Sequence, residues 1–247
     1  MNGCDRMQRY FVNQQIADTL TISDNNQYHH MAHVMRMKAD DQVVVCDHEG
    51  RCFLMNILSI DKTTVTLNKV RALPKLDKLF HITLAQALIR KDHFELVCQK
   101  ATELGVDTII PIITDRTIVK LDEKNVSKKQ SRWQAIIQEA SEQSHRNHVG
   151  NIESVMRIDS LDYSRYDTIF VAYEKESSVS LKKALKTTSK DAKIMVIIGP
   201  EGGFTESEIA YLEQYAQVVT LGPRILRSET AAIFSLAAIS YALEMSE

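Results

Sequence analysis

The stretch AKIMVIIGPEGGFTESE, residues 192–208, holds a strand, a glycine-rich loop and a helix start in direct succession. The run AKIMVIIG is apolar without alternation, as in a strand that is buried on both faces. Thr205 followed by Glu208 has the spacing of a capping box, which starts a helix. Strand, loop and helix in this order predict one repeat of a parallel α/β sheet.

Two further segments of the same kind flank this one. TIFVAY (168–173) and QVVTLG (217–222) are apolar and rich in β-branched residues, and helices predicted near 180–185 and 206–215 separate the three strands. Since parallel strands end at one edge of a sheet, we expect the loops that follow them to meet. The elements predicted upstream are a strand at His81–Ala87, a helix at Asp92–Leu104 capped by Gly105, a strand at Thr108–Ile112 and a helix at Ser127–Ser144.

The chain before residue 75 has a different pattern. Short β-branched runs at 42–47, 52–60 and 65–70 are broken by turns that contain Asp or Gly, and one short helix is predicted around Asn25–Arg36. This pattern is typical of a small barrel or meander. ALPKLDK, residues 72–78, is interpreted as the linker between the two parts.

Composition limits the classes of function. Thirty basic and 32 acidic side chains give a formal net charge of −2, so a nucleic-acid surface must be a local patch. The longest apolar segment, Ala231–Leu243, is well short of the roughly 20 residues that cross a bilayer, and we expect no membrane span. This helix is apolar almost all round, which is typical of a core or a subunit interface.

The cysteines and histidines suggest no special chemistry. The four cysteines form no C-x-x-C pair, so we expect a reducing, cytoplasmic compartment in which Cys46 and Cys52, on either side of a turn, are free thiols. His29, His30 and His33 lack the H-E-x-x-H arrangement, and we expect no metal site. GPEGGFT matches neither the dinucleotide nor the P-loop fingerprint, and its alternative interpretation is a turn that only ends a strand.

Two loops taken together resemble those of one family. IGPEGGFTESEI and LGPRILRSETA resemble the paired signature loops of the RsmE family, the small-subunit ribosomal RNA uridine-N3 methyltransferases of the SPOUT superfamily. His145 and Gly150 stand where this family usually has glycine and proline, and residues 1–6 precede the usual start, which makes Met7 an alternative start. Further matching segments are QRYFV (8–12), HHMAHVMR (29–36), QKATELGV (99–106) and RWQAIIQEASEQSHRN (132–147).

The resemblance implies an architecture and a cofactor. It implies an N-terminal PUA-like β-barrel for RNA in residues 1–73 and a C-terminal α/β trefoil-knot methyltransferase domain in residues 74–247, which forms a homodimer. The knot would hold S-adenosyl-L-methionine. Carried over by position, the cofactor-binding residues are Ala172, Tyr173, Glu174, Ile198, Gly199, Pro200, Glu201, Gly202, Gly203, Leu221, Gly222, Ile225, Leu226 and Arg227.

Methylation of uridine N3 gives roles to the charged residues in these loops. The imide proton must leave, and a fixed cation stabilises the negative charge that develops on the base; we expect Arg227 to be this cation. Glu201 and Glu229 are the nearby carboxylates, and either would orient an arginine or accept the proton. An alternative for Arg227 and Glu229 is an ion pair that seals the knot.

RNA binding is expected at cations of the N-terminal part. Arg9, Arg36, Lys38 and Arg51 are predicted to hold phosphates of 16S rRNA in the 30S subunit, although scattered surface charges are the alternative. Gln143 and Arg146 are predicted to reach a splayed base.

Two other classes of protein compete with the enzyme. They are a non-enzymatic RNA-binding protein with a degenerate pocket and a nucleotide-binding enzyme of another kind. The two glycine loops favour the methyltransferase, because a module that only contacts phosphates has no use for them.

Overall fold

The computed structural model describes residues 7–74, 80–119 and 123–244. They fall into two compact units, one within 1–77 plus 141–149 and the other within 78–140 plus 150–247. The predicted division at residues 73 and 74 places 141–149 in the second domain, whereas the structure groups this segment with the first unit. Most of the predicted linker, from residue 75 onward, lies outside the described residues.

The first unit is built on one mixed sheet. Its sheet order is β1-β3-β4-β5-β2, in which β1 pairs with β3 in parallel and the other pairs are antiparallel. The predicted meander of the three longer strands is therefore confirmed. Sequence reasoning missed β1 and β2, since runs of three or four residues contain too few alternating positions. The strands are β1 (Arg9–Phe11), β2 (Thr19–Ile22), β3 (Gln42–Cys46), β4 (Cys52–Ile60) and β5 (Val65–Ala72).

One helical segment covers this sheet, as predicted. Helix α1 (Asn25–His29) starts where the Asp24 carboxylate accepts from two backbone N–H groups, and a π-helical turn, His30–Val34, continues it. Met31 of this turn is fully buried in the core of the unit. In the described part of the chain, no group of three or more His, Cys, Asp or Glu side chains is placed to hold a metal ion.

The cysteines differ from the expectation. Cys46 and Cys52 face each other in the register of β3 and β4 and form a disulfide with an S–S distance of 1.98 Å. The expectation of two free thiols is wrong, because the hairpin places the two side chains directly opposite each other. Cys98, in the second unit, is free, and burial raises the pKa of its thiol.

The second unit contains the predicted parallel sheet. The order is β12-β10-β11-β6-β7-β8, with β9 also paired to β7, and each of these pairs is parallel. Its strands are β6 (His81–Ala87), β7 (Thr108–Ile113), β8 (Asn151–Ile152), β9 (Met156–Arg157), β10 (Thr168–Ala172), β11 (Lys193–Ile198) and β12 (Gln217–Val219). Its helices are α2 (Lys91–Glu103), α3 (Glu123–Gln143, of which 141–143 are grouped with the first unit), α4 (Leu181–Leu185), α5 (Glu206–Leu212) and α6 (Ser228–Glu244), with 3-10 turns at Ile158–Ser160 and Tyr163–Arg165.

Helix α6 packs one face against α2 and β11 and leaves apolar side chains on another. Ala232, Leu236 and Ile239 are fully buried, whereas Phe234 is 44% exposed and Tyr241 is 74% exposed. This helix is thus apolar beyond the face that its own unit covers. None of the helices in the described chain is long and apolar enough to cross a membrane.

Candidate active site

A cavity opens at the carboxyl ends of neighbouring strands of the second unit. Strands β12, β10 and β11 are adjacent in the sheet and run in parallel, so their carboxyl ends lie side by side. The loops that follow them line a cavity of about 480 Å³. The predicted meeting of these loops is confirmed. A cavity at the carboxyl edge of a parallel sheet is the usual place for a ligand in this class of fold.

The cavity lining contains all but one of the residues predicted to bind the cofactor. The exception is Gly202, which lies off the lining, where its carbonyl oxygen accepts from Nη1 of Arg116 at 2.9 Å. The predicted residues that line the cavity are Ala172, Tyr173, Glu174, Ile198, Gly199, Pro200, Glu201, Gly203, Leu221, Gly222, Ile225, Leu226 and Arg227.

Glycine is required at defined points of these loops. A Cβ atom on Gly199 would stand 2.9 Å from the ring of Phe204, so only glycine lets this ring pack on the loop. Gly203 and Gly222 have φ values of +68° and +122°, which side chains rarely tolerate. The space beside Gly222 is open for 4 Å. The backbone of this loop therefore borders the cavity without a side chain in between.

The first turn of α6 is tied to two strands of the sheet. Ser228 Oγ donates to the carbonyl oxygen of Gly199 at 2.5 Å and accepts from Nε2 of Gln86 at 2.9 Å. Gln86 is fully buried in β6, so this chain of hydrogen bonds fixes the start of the helix. It brings Arg227 and Glu229, on either side of Ser228, to the cavity.

The charged groups at the cavity differ in their surroundings. Arg227 is exposed, and in the described residues it takes part in no ion pair, so the alternative pairing with Glu229 is not seen. Glu229 is only 8% exposed, and its Oε1 lies 3.7 Å from Nδ1 of His93. Glu201 is exposed, and its Oε1 accepts from the backbone N–H of Arg90 at 3.4 Å. The site thus combines an exposed cation with a buried carboxylate.

Sequence reasoning missed Arg90 and His93, which also line the cavity. Both follow β6, which lies next to β11 and ends at the same edge of the sheet. The signal was present in the sequence, since the run RKDH comes directly after a predicted parallel strand. Glu229, predicted as a catalytic carboxylate, also lines the cavity, and the other lining residues outside the predicted set are Phe204, Thr220, Pro223, Arg224, Ser228 and Ala231.

The predicted RNA-binding residues lie in the first unit, and several are engaged in it. Arg9 donates through Nη1 to the backbone carbonyls of His145 and Arg146 and to Oδ1 of Asn147. Arg51 is paired with Asp47, whose side chain is fully buried, and with Glu49. The remaining candidates are Arg36, Lys38 and Gln143, which are exposed, and Arg146, which is half-buried with Nη2 3.1 Å from Nε2 of His148.

The buried partner of Arg51 has an altered pKa. Burial alone would raise the pKa of Asp47, but hydrogen bonds from the side chain and backbone of Arg51 and from the backbone of Glu49, with the charge of Arg51, lower it below its usual value. The carboxylate is thus held charged, and the Arg51 guanidinium is committed to it.

Known proteins share both units. An RNA methyltransferase domain model matches residues 76–240, and an RNA methyltransferase PUA domain model matches residues 22–70. The chain is 38% identical to the ribosomal RNA small subunit methyltransferase E of Bacillus subtilis over 97% of this chain and 98% of that protein, and 30% identical to the one of Rickettsia conorii over 94% of each. The crystal structure of the Neisseria gonorrhoeae ribosomal RNA small subunit methyltransferase E, bound to S-adenosyl methionine, has a TM-score of 0.83 and 27% identity over 95% of this chain and 97% of that one. This chain therefore belongs to the RsmE family of RNA methyltransferases.

Proposed function

We propose that this protein transfers the methyl group of S-adenosylmethionine to N3 of one uridine in the 16S rRNA of the small ribosomal subunit. One observation carries the proposal: the loops after three adjacent parallel strands meet at one cavity that exposes Arg227. The relatives named above as small subunit methyltransferases support the substrate.

The cavity suits the proposed cofactor. Its volume of about 480 Å³ lies within the range of roughly 300 to 1,000 Å³ for small-molecule sites. Backbone groups of the loops at 199–203 and 220–222 would hold the adenosine, since Gly203 and Gly222 keep side chains out of the way. When bound, S-adenosylmethionine would supply an electrophilic methyl group on its sulfonium.

Arg227 is the proposed stabiliser of the transition state. Loss of the N3 proton places negative charge on the uracil oxygens, and a guanidinium beside them lowers the free energy of that charge. A guanidinium group is not a proton acceptor in proteins, so Arg227 does not take the N3 proton. Glu201 and Glu229 remain the carboxylates proposed to orient it or to receive the proton.

We also propose a homodimer and a trefoil knot for the second unit. Phe234 and Tyr241 on α6 and the 87% exposed Ile225 offer an apolar surface beside the cavity, which a second copy would cover. Sedimentation should show a dimer at micromolar concentration, and a monomer would contradict this part of the proposal. Small ribosomal subunits as substrate would place the protein in the cytoplasm.

The test of the function is direct. Small subunits from cells that lack the enzyme are incubated with the protein and labelled S-adenosylmethionine, and the RNA is digested and analysed by mass spectrometry for N3-methyluridine. We expect about one methyl group per subunit. Binding of RNA without methyl transfer would instead favour the non-enzymatic RNA-binding protein, and binding of ATP in place of S-adenosylmethionine would favour another nucleotide enzyme.

A further inference from the structure

His93 and Glu229 face each other at the cavity. His93 lies in the first turn of α2 and Glu229 in the first turn of α6, and both line the same cavity as Arg227. Nδ1 of His93 and Oε2 of Glu229 are both buried, and neither has a hydrogen-bond partner in the described chain. Buried polar atoms without partners cost free energy, so they need an explanation.

The geometry points to His93 as the general base that takes the N3 proton of uridine, with Glu229 as the residue that positions it. This inference rests on the proposed function and names a residue outside the set predicted from the sequence. Since Nδ1 is buried on the side of Glu229 and the side chain is 34% exposed, Nε2 is the nitrogen left to face the cavity. A carboxylate beside Nδ1 favours the tautomer with hydrogen there, which leaves Nε2 as an acceptor.

The distance between the two groups fits a pair that tightens during the reaction. Oε1 of Glu229 lies 3.7 Å from Nδ1 of His93, longer than a hydrogen bond. Catalytic hydrogen bonds are often long before substrate binds. The imidazolium formed by proton uptake would draw the carboxylate closer, and the buried Nδ1 of His93 would then gain its partner.

The step balances in atoms and charge. The N3–H bond breaks and its proton goes to Nε2 of His93, while the nitrogen electron pair forms the new N3–methyl bond. The electron pair of the broken sulfur–methyl bond stays on the sulfur of the cofactor. The positive charge of the sulfonium is thus replaced by that of the imidazolium, which Glu229 stabilises.

Other charged groups face the same cavity and affect the proton transfer. They are Arg90 beside α2, Glu174 after β10, Glu201 after β11, and Arg224 and Arg227 before α6. The cations disfavour the imidazolium and the carboxylates favour it. Among the described residues, none of these five groups has an ion-pair contact with His93, whereas Glu229 has one.

The first experiment uses the variants His93→Gln and His93→Ala. For each, the rate of single-turnover methyl transfer to small subunits and the affinity for S-adenosylmethionine are measured. We expect a loss of about 10²-fold or more in rate, typical of a lost general base, with unchanged cofactor affinity, and partial rescue of His93→Ala by added imidazole. His81→Gln is the matched control, because His81 lies 3.4 Å from Asp107 at the opposite end of β6; it should keep the wild-type rate.

The second experiment needs no turnover. Nitrogen NMR of the free protein should show hydrogen on Nδ1 of His93, and Glu229→Gln should weaken this preference for Nδ1, since it removes the adjacent carboxylate. A separate pH–rate profile should differ between the wild type and His93→Gln, because the variant lacks the proposed proton acceptor.

The outcomes separate the inference from the function. A wild type that binds S-adenosylmethionine but methylates no uridine overturns the proposed function. If the wild type methylates uridine, three results would overturn the role of His93 alone. They are a fully active His93→Gln, a rate loss in His93→Ala that imidazole does not rescue, and a loss of cofactor affinity in the variants.

Discussion

The cations of the two units are used in different ways. In the first unit, Arg9 donates to the 145–147 segment and Arg51 is paired with two carboxylates. In the second unit, Arg227 is exposed at a cavity and has no ion pair in the described chain. An arginine that is already paired stabilises the fold, whereas an unpaired arginine at a cavity is available to a ligand.

This difference corrects a simple interpretation of charge. A basic residue of the first unit is not automatically an RNA contact. A guanidinium that is hydrogen-bonded to a buried carboxylate has its charge balanced and some of its donors occupied, so it binds a phosphate less well. We therefore rank the exposed Lys38 above Arg51 as a phosphate contact, and Arg227 above both as a functional cation.

Removal of Arg227 should have the largest effect. Arg227→Ala should lower the rate of methyl transfer by roughly 10²- to 10³-fold, the usual loss when one donor to a developing oxyanion is removed. Cofactor affinity should change little, and calorimetry with S-adenosylmethionine checks this. The control is Arg165→Ala, because Arg165 is an arginine of the same unit that is 56% exposed. We expect this variant to keep the wild-type rate. Equal rates in both variants would falsify the role of Arg227.

The next effect concerns the glycines around the cavity. Valine at Gly222 must leave the φ of +122°, at a cost of about 1 to 3 kcal/mol, and its side chain would enter the space proposed for adenosine. We expect Gly222→Val to weaken S-adenosylmethionine binding by about 10- to 100-fold. Gly202→Val should lose less affinity, because Gly202 lies off the lining and meets the side chain of Arg116. Similar losses in both would contradict this assignment of the loop.

Glu208 ties the loop that follows β11 to the start of α5. Its carboxylate accepts from the backbone N–H of Thr205 and of Asp115, each at 2.8 Å, and it is only 5% exposed. Glu208→Ala leaves both donors without a partner and should lower the free energy of unfolding by about 2 to 3 kcal/mol, measured by urea denaturation. The neighbouring Glu206→Ala removes an exposed ion pair with Lys175 and should leave the free energy of unfolding nearly unchanged.

The sequence predicted the second unit better than the first. Long apolar strands such as β6 and β11 and the capping box at Thr205 and Glu208 are local signals, and the structure confirms them. The rule for parallel strands placed the three loops at one cavity. The residues predicted to bind the cofactor came from the resemblance to the family. Of these, only Gly202 lies off the cavity lining.

What sequence reasoning missed depends on contacts distant in the chain. The pairing of β1 with β3 involves a very short strand. The hydrogen bonds of Arg9 to the 145–147 segment join residues more than a hundred positions apart in the chain. His93 follows β6 and could have been predicted at the cavity, but its approach to Glu229 depends on the packing of α2 against α6, which no local pattern indicates. His145 adopts a φ of 57°, a conformation that favours glycine, and the resemblance had already marked this position as a departure from glycine.

The smallest effect is the most direct test of the contrast between the units. Asp47 has a lowered pKa, so its pairing contributes stability above its unfolded pKa of about 3.9, and this contribution is lost as pH falls through the lower folded pKa. Arg51→Ala should therefore lower the Tm clearly near neutral pH and much less at about pH 3, where the carboxyl group is largely protonated in the unfolded state. Thermal unfolding monitored by circular dichroism across this range measures the difference.

The same variant also tests RNA binding. If Arg51 is committed to Asp47 and Glu49, Arg51→Ala should leave the salt dependence of RNA binding nearly unchanged. Lys38→Ala should reduce its slope by about one unit, as expected for one lost phosphate contact. The reverse result, in which Arg51→Ala reduces the slope and leaves the Tm unchanged at neutral pH, would show that Arg51 serves RNA despite its buried partner. The contrast between paired and unpaired arginines would then no longer separate structural from functional cations in this protein.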